Sequence, residues 1–359
     1  MSLNDLPDIC LWKIFGNFHE AKDLIRLSKV CSRWSDLITP RFRRVKYLQM
    51  MDVDSNEVDY INANSLWINP NTNWNDYNLF EWFPNIKGLI GMDHLLKDGY
   101  LENIEMCAPE FNFDYKKVFR PDQLKQVHSR YFYMDDLPSF IEYFPNLKRL
   151  HLNLCKEDPV FYNFCEVFYN GLNLSALKIL GLCTNGFAAK FNGFHFMNFC
   201  PSLESAFFLC MSYDIHEDEP IKNYNLRDLV IENLCFGCFL WPPLKKLVSK
   251  FPNLQHLAIR NFDMLDDSHL DLEELIQLIP KLKILDLRKC EKVTQKSADF
   301  LSKYCVKENR SIALYYDCEN EPTEWPKLVD TYEPICYGFD FMKHCFYKNF
   351  SYHPYLIDE

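Results

Sequence analysis

Glycine is scarce in this chain, ten in 359 residues, and none of the ten builds a Gly-rich phosphate loop. That removes the nucleotide-cradling motifs. No stretch approaches the roughly 18 to 20 unbroken apolar residues of a membrane span, and residues 1–15 lack the basic start and apolar run of a signal peptide. None of the ten histidines stands in an HExxH motif or pairs across a carboxylate at helical spacing. Cys235-Phe236-Gly237-Cys238 is a lone Cys-x-x-Cys, without the second pair that zinc requires or the strand-helix setting of a redox motif, and reads as core and turn. No cysteine can be given a base by spacing, as a thiol enzyme would need. The expectation is a protein with no catalytic residue, metal site, cofactor or membrane partner: not an enzyme.

What is present is ordinary for a folded protein, with 48% apolar and 25% charged residues. The fifteen cysteines are scattered, mostly inside apolar patterns, as at Cys155, Cys165, Cys200, Cys210 and Cys290. They read as small core residues with free thiols in a reducing compartment, the cytosol and/or nucleus. Residues 1–48 carry nine Lys and Arg against five Asp and Glu, so +4, which leaves −15 for the remainder of a chain of net charge −11. One short basic run, Arg41-Phe42-Arg43-Arg44-Val45-Lys46, beside so acidic a body suits a solvated helix end facing an acidic neighbour better than a nucleic-acid patch.

Residues 6–37 read LPDICLWKIFGNFHEAKDLIRLSKVCSRWSDL. Pro7 precedes a helical apolar pattern of Ile9, Trp12, Ile14, Phe15 and Phe18, where its fixed φ and missing N–H suit a helix start. Leu24, Leu27, Val30, Cys31, Trp34 and Leu37 then recur at the spacing of one helix face. A segment of about forty residues is near the lower limit for folding alone, so its apolar surplus calls for cover from another chain.

These residues resemble an F-box. Leu6-Pro7-Asp8-Ile9, Ile14-Phe15, Asp23-Leu24 and Leu27-Ser28-Lys29-Val30-Cys31-Ser32-Arg33-Trp34 follow the family pattern, departing at Phe18, where Leu is usual. The resemblance implies docking onto the Skp adaptor, and through it onto the cullin and RING subunits of an SCF-type ubiquitin ligase. Leu6, Pro7, Ile9, Ile14, Phe15, Leu24, Leu27, Val30, Cys31 and Trp34 would carry the docking.

A repeat follows. Leu147-x-x-Leu150-x-Leu152-x-x-Cys155, Leu177-x-x-Leu180-x-Leu182-x-x-Asn185 and Leu282-x-x-Leu285-x-Leu287-x-x-Cys290 satisfy the leucine-rich-repeat template in full. Partial copies begin at Ile86, Leu124, Leu203, Leu226 and Leu254, and near Ala63 and Asn309. Starts from Leu147 onward are 30, 26, 23, 28 and 28 residues apart. An apolar residue before proline stands ahead of several copies, as in Phe83-Pro84, Phe144-Pro145, Cys200-Pro201, Phe251-Pro252 and Ile279-Pro280. There proline ends a helix and turns the chain into the next strand while its predecessor plugs the core. Helical stretches are expected over 136–143, 159–169, 243–250, 270–278 and 294–304, and neighbouring units must stack to bury their leucines.

The fold expected is α/β: a small all-helical F-box over 1–44, a leucine-rich-repeat horseshoe over 45–317, and an aromatic-rich C-terminal cap or tail over 318–359. The number of units between 69 and 137 stays open. Side chains alternate along a strand, so residues between the inward leucines face the concave side. These candidates for substrate binding are Arg149, His151 and Asn153; Ile179, Gly181 and Cys183; Ser205 and Phe207; Asp228 and Val230; His256 and Arg260; Asp286 and Arg288, with loops at 214–219 and 261–267. The tail is read first as a cap over exposed core leucines, and alternatively as a segment folding back across the concave face. Two functions follow: a substrate receptor of a ubiquitin ligase, or a non-catalytic scaffold that holds the adaptor without serving ubiquitylation.

Overall fold

The computed structural model of the chain describes residues 3–51, 63–72, 74, 77–91, 101–110, 114–155, 169–184, 188–215, 221–234, 241–262 and 270–358. All but the last residue of the expected helix over 159–169, the Cys235-x-x-Cys238 motif and most of the loops at 214–219 and 261–267 lie outside them.

Pro7 flanks α1 (Asp8–Gly16), with φ −59°, and the carbonyl of Pro7 accepts from Cys10 N at 2.9 Å and Leu11 N at 3.2 Å. Two further helices, α2 (Ala21–Ser28) and α3 (Ser32–Phe42), complete an N-terminal helical module. Leu11, Phe15, Leu24, Ile25, Trp34 and Ile38 are its buried interior, with the Phe15 and Trp34 rings 5.1 Å apart.

Beyond it the described strands are β1 (Tyr47–Met50), β2 (Ser65–Ile68), β3 (Gly88–Ile90), β4 (Met106–Ala108), β5 (Gln126–Tyr133), β6 (Arg149–Cys155), β7 (Ile179–Thr184), β8 (Ala188–Phe191), β9 (Ser205–Cys210), β10 (Ser212–Ile215), β11 (Asp228–Asn233), β12 (His256–Arg260), β13 (Ile284–Asp286), β14 (Ala313–Tyr315), β15 (Ile335–Tyr337) and β16 (Leu356–Asp358). Twelve form one parallel sheet in the order β14-β13-β12-β11-β9-β7-β6-β5-β4-β3-β1-β2, while β8 pairs with β10 and β15 with β16. Neighbours in space are almost everywhere neighbours in sequence. The exceptions are β2, which lies outside β1 at the N-terminal edge, and β8 and β10, which leave β7, β9 and β11 as direct neighbours. Helices α4 (Leu79–Trp82), α5 (Tyr115–Val118), α6 (Leu137–Tyr143), α7 (Trp241–Val248), α8 (Leu270–Leu278) and α9 (Gln295–Lys307) fill intervals between strands. Residues 69–137, left open by the sequence, hold β3, β4 and β5 among the described residues.

The residues before proline do the work expected of them: Phe83, Phe144, Cys200, Phe251 and Ile279 are all buried. Alternation along the strands separates two faces, and the one away from the helices holds a second apolar cluster at its N-terminal end, with Tyr47, Ile90 and Met106 against Tyr355 and Leu356. Leu150, Leu152, Leu180, Leu182, Phe208, Ile231, Leu257 and Leu285 face the helices, together with Phe140, Leu247, Leu275 and Leu301. Ile179, Cys183, Phe207, Leu209, Val230 and Ala258 face the other way and pack against Phe341, Cys345, Phe346, Phe350 and Ile357 from the C-terminal segment. A side chain step of two residues thus assigns each strand position to one face or the other.

The module of α1–α3 abuts the sheet at β2. Trp67 N donates to the His19 carbonyl at 2.9 Å, and the Phe42 ring meets Phe83 at 5.2 Å and Trp82 at 5.5 Å. The chain's end behaves differently from a simple cap. Trp325 packs on Tyr315 and Tyr316 at 5.5 and 5.6 Å, covering part of the terminal strand as a cap would. The rest turns back through a π-helical turn, Met342–Phe346, and a 3-10 turn, Phe350–Tyr352, and crosses the sheet to reach its N-terminal end. There Asp358 meets Lys46 at 3.0 Å, 312 residues away in sequence.

Candidate functional site

The strand face opposite the helices carries polar residues that an open binding surface would show to solvent. Here the returning segment covers them. Arg149 is 1% exposed and donates through Nη1 to the Tyr355 carbonyl at 2.9 Å and through Nη2 to that of Pro354. His128 Nδ1 lies 3.3 Å from the Pro354 carbonyl. Gln126 is bonded twice to the main chain of Ile357, donating at 2.6 Å and accepting at 3.1 Å. His151 stacks between His128, at 4.0 Å, and Phe350, at 4.2 Å. The Phe207 ring takes His353 edge-on at 4.3 Å.

Toward β13 the face becomes ionic. Arg260, wholly buried, donates to Asp286 Oδ2 from Nε (3.1 Å) and Nη2 (2.9 Å), and to the carbonyls of Lys348 and Phe346. Arg288 reaches Asp286 from the other side, Nε to Oδ1 at 2.9 Å and Nη2 to Oδ2 at 2.7 Å, and donates to the Pro326 carbonyl. Burial alone would raise the Asp286 carboxyl, but the Arg288 hydrogen bonds and the charges of Arg260 and Arg288 outweigh it and hold the group below its ordinary range. Asp228 accepts from Ser205 at 2.5 Å and pairs with His256 Nδ1 at 2.6 Å. Burial drives His128, His151 and His353 well below the usual histidine value, and nearby cations add to the shift, Arg149 for all three and Arg260 for His353.

Arg149, His151, Phe207, Asp228, Arg260, Asp286 and Arg288, expected to face a substrate, are therefore buried, and Asn153 and His256 only partly exposed. This corrects the expectation of an open face. The physical reason is that the returning segment lies over them: its main-chain carbonyls, at Pro326, Phe346, Lys348, Pro354 and Tyr355, accept from the Arg149, Arg260 and Arg288 guanidinium groups, and its rings pack on His151 and Phe207 where solvent or a partner would otherwise stand. Ile179, Gly181, Cys183, Ser205 and Val230 are buried with them. Two glycines fit the strands to this cover. A Cβ on Gly181 would collide with the His151 ring, and one on Gly88 would stand 2.7 Å from Leu356 Cδ1 and 2.8 Å from Tyr47 Cδ1.

Among the described residues one trio could hold a metal: Glu333, Cys336 and His344, with donor atoms within 4.8 Å of one another. Lys348 Nζ stands 3.5 Å from Glu333 Oε2 and already neutralises that carboxylate, which opposes a dication.

The helical module offers the opposite of the covered face: apolar groups in solvent. Ile9 is 66% exposed, Val30 56%, Leu3 53% and Trp12 49%. Arg33 donates to the carbonyls of Asn4 (2.6 Å) and Leu6 (2.7 Å) and to Asp8 Oδ1 (2.8 Å), so that the chain before α1 lies against the start of α3. Buried Arg41 donates to the Phe15 carbonyl and fixes the end of α1 to α3. Burial, with Arg44 adding, brings its guanidinium down to about 10. Residues 3–48 match the F-box-like family. The match covers the three helices and the first two residues of β1. An F-box-like domain points in general to a ubiquitin-ligase adaptor or substrate-receptor role. In a comparison with the curated proteins, none matches the chain.

Within the F-box-like domain the ten residues implied to dock divide by burial. Pro7, Ile9 and Val30 are exposed, Leu6, Ile14, Leu27 and Cys31 half-buried, and Phe15, Leu24 and Trp34 lie in the domain's own core. The last three shape the surface from beneath. Trp12 joins the exposed set, with the Arg44 guanidinium 5.5 Å from its ring. Its signal was in the sequence: apolar residues on α1 outnumber what one face can hold, so that Leu11 and Phe15 are buried while Ile9 and Trp12 are exposed, and the exposed pair suits a partner. No described helix is long and apolar enough to cross a membrane.

Proposed function

We propose that this protein is the substrate-recognition subunit of an SCF-type ubiquitin ligase, working without catalytic residues of its own. The observation that carries the reading is the exposed apolar set Ile9, Trp12 and Val30 on an F-box-like domain. Large apolar side chains left in solvent on so small a module suit a protein interface. The Skp adaptor would cover it, and cullin and RING subunits would follow. The parallel strands, spaced by 23 to 30 residues over much of their run and alternating between two faces, support a leucine-rich-repeat solenoid as the arm that holds the target. Transfer would gain rate from proximity alone. The described cysteines are free thiols, in keeping with work in the cytosol and/or nucleus.

The test is co-purification with the Skp adaptor. Ile9→Glu with Val30→Glu removes two exposed apolar groups and adds charge without touching the core. We expect adaptor affinity to fall by about a hundredfold or more, near 3 kcal/mol, with the melting temperature unchanged. Unchanged binding would sink the reading. The covered strand face favours one alternative, a scaffold that holds the adaptor but presents no target. A receptor with the Ile9→Glu/Val30→Glu pair should accumulate bound, unmodified target in cells, and a scaffold should accumulate none.

A further inference from the structure

The far end of the sheet from the F-box-like domain carries a groove of about 840 Å³ between α9, β14 and the chain that leaves β14. A space that size takes several residues of a peptide rather than one side chain. Its floor is apolar and aromatic, with Val293, Leu314, Tyr316 and Trp325. Its charged groups are of one sign: Glu291, Asp299, Asp317 and Glu319 line it, and no Lys or Arg does. Lys292, Lys296 and Lys303 stand close by in sequence but outside the lining.

Two of the four carboxylates are partly engaged. Asp317 Oδ2 accepts from Lys289 N at 2.7 Å, and Asp299 Oδ1 from Gln295 Nε2 at 2.9 Å. Glu291, Asp299 and Glu319 are all exposed. β14 is the terminal strand and pairs with β13 alone in the sheet. The edge therefore faces outward beside a groove with no intramolecular occupant among the described residues, unlike the strand face that the C-terminal segment fills.

We propose that this groove docks a basic, extended segment of a partner protein. Lysine or arginine ammonium and guanidinium groups would meet the four carboxylates, and their methylene stems and interspersed apolar residues would lie on Trp325 and Tyr316. Cations over such rings gain from the ring quadrupole as well as from the rim. Opposite charge around an apolar floor gives both steering and register. The docking is independent of the adaptor reading, since no residue of the F-box-like domain lines the groove.

The experiment is fluorescence anisotropy on the full chain with a short fluorescein-labelled peptide alternating Lys and Leu, beside a counterpart with Glu for each Lys. The Lys peptide binds and weakens steeply with added salt; the Glu peptide does not bind. Glu291→Gln with Glu319→Gln weakens the Lys peptide by about tenfold or more. Asp135→Asn with Glu142→Gln makes the same change of net charge at exposed positions by α6, and leaves binding unaltered. Failure of the Lys peptide to bind would overturn the proposal. Equal weakening by the two variant pairs would overturn it too, because the attraction would then belong to the acidic body as a whole.

Discussion

Asp286→Ala is the substitution in which the covered strand face stakes most. The carboxylate has no exposure and receives five hydrogen bonds: Arg260 Nε and Nη2 at 3.1 and 2.9 Å, Arg288 Nε and Nη2 at 2.9 and 2.7 Å, and Arg288 N at 3.2 Å. Removing it leaves the Arg260 guanidinium, itself fully buried, with only the carbonyls of Lys348 and Phe346. An uncompensated buried charge of this kind costs about 3–5 kcal/mol, a large part of the roughly 5–15 kcal/mol that holds a domain folded. Urea denaturation followed by tryptophan fluorescence and far-ultraviolet circular dichroism measures the loss as a fall in midpoint at unchanged slope. Pairing Asp286→Leu with Arg260→Met removes both charges and keeps the volume. It should recover about half of the loss or more, because the remaining Arg288 lies against Tyr315, Tyr347 and the Pro326 carbonyl. A loss under about 1 kcal/mol for Asp286→Ala, or no recovery in the pair, would refute the account of the face as a desolvated ionic cluster.

Three further outcomes are expected. His128, His151 and His353 have folded-state values depressed well below the ordinary 6.5, so below about pH 6.5 the unfolded chain binds more protons; stability is present above that pH and falls as pH drops, by about 1.4 kcal/mol per pH unit for each histidine, and His151→Phe should remove one such contribution from a pH series of urea midpoints. Gly181→Ala should cost about 1–3 kcal/mol by calorimetry, because His151 is held between His128 and Phe350 and cannot retreat from a new Cβ. Lys46→Ala should cost at most about 1 kcal/mol in the same assay, since its partner Asp358 is only 3.0 Å away but the lysine side chain is 37% exposed.

Local pattern made α1, α6, α7, α8, α9 and most strands legible, whereas the Leu24-to-Leu37 face, read as one helix face, is broken at residues 29–31 into α2 and α3, and the short α4 and α5 were not foreseen. Leu6-Pro7 and the Leu24-to-Trp34 spacing marked the F-box-like module, and the residue-before-proline plugs marked the turns, because each depends on neighbours within a few positions. β4 escaped: Met106-Cys107-Ala108 carries no leucine, and the strand is held by its partners Gly88–Ile90 and Gln126–Val127 rather than by its own pattern. The destination of the tail escaped for a different reason. Arg149 meets Tyr355 across 206 residues, and nothing periodic links the two. A faint signal did exist. Arginines and histidines at the alternate strand positions, with few carboxylates among them, suit the main-chain carbonyls of an irregular segment better than they suit one another.

The meeting of Lys46 with Asp358 bears on how the molecule comes apart. In a row of strands that touch only their neighbours, either end can fray while the middle persists, and unfolding spreads over a range of conditions. Here one segment is fastened in turn to β13, β12, β9, β6, β5 and the start of β1, so loosening any of these strands also loosens the strap that holds the others. Denaturation should then be a single sharp event, the same by every probe, with the two chain ends released together.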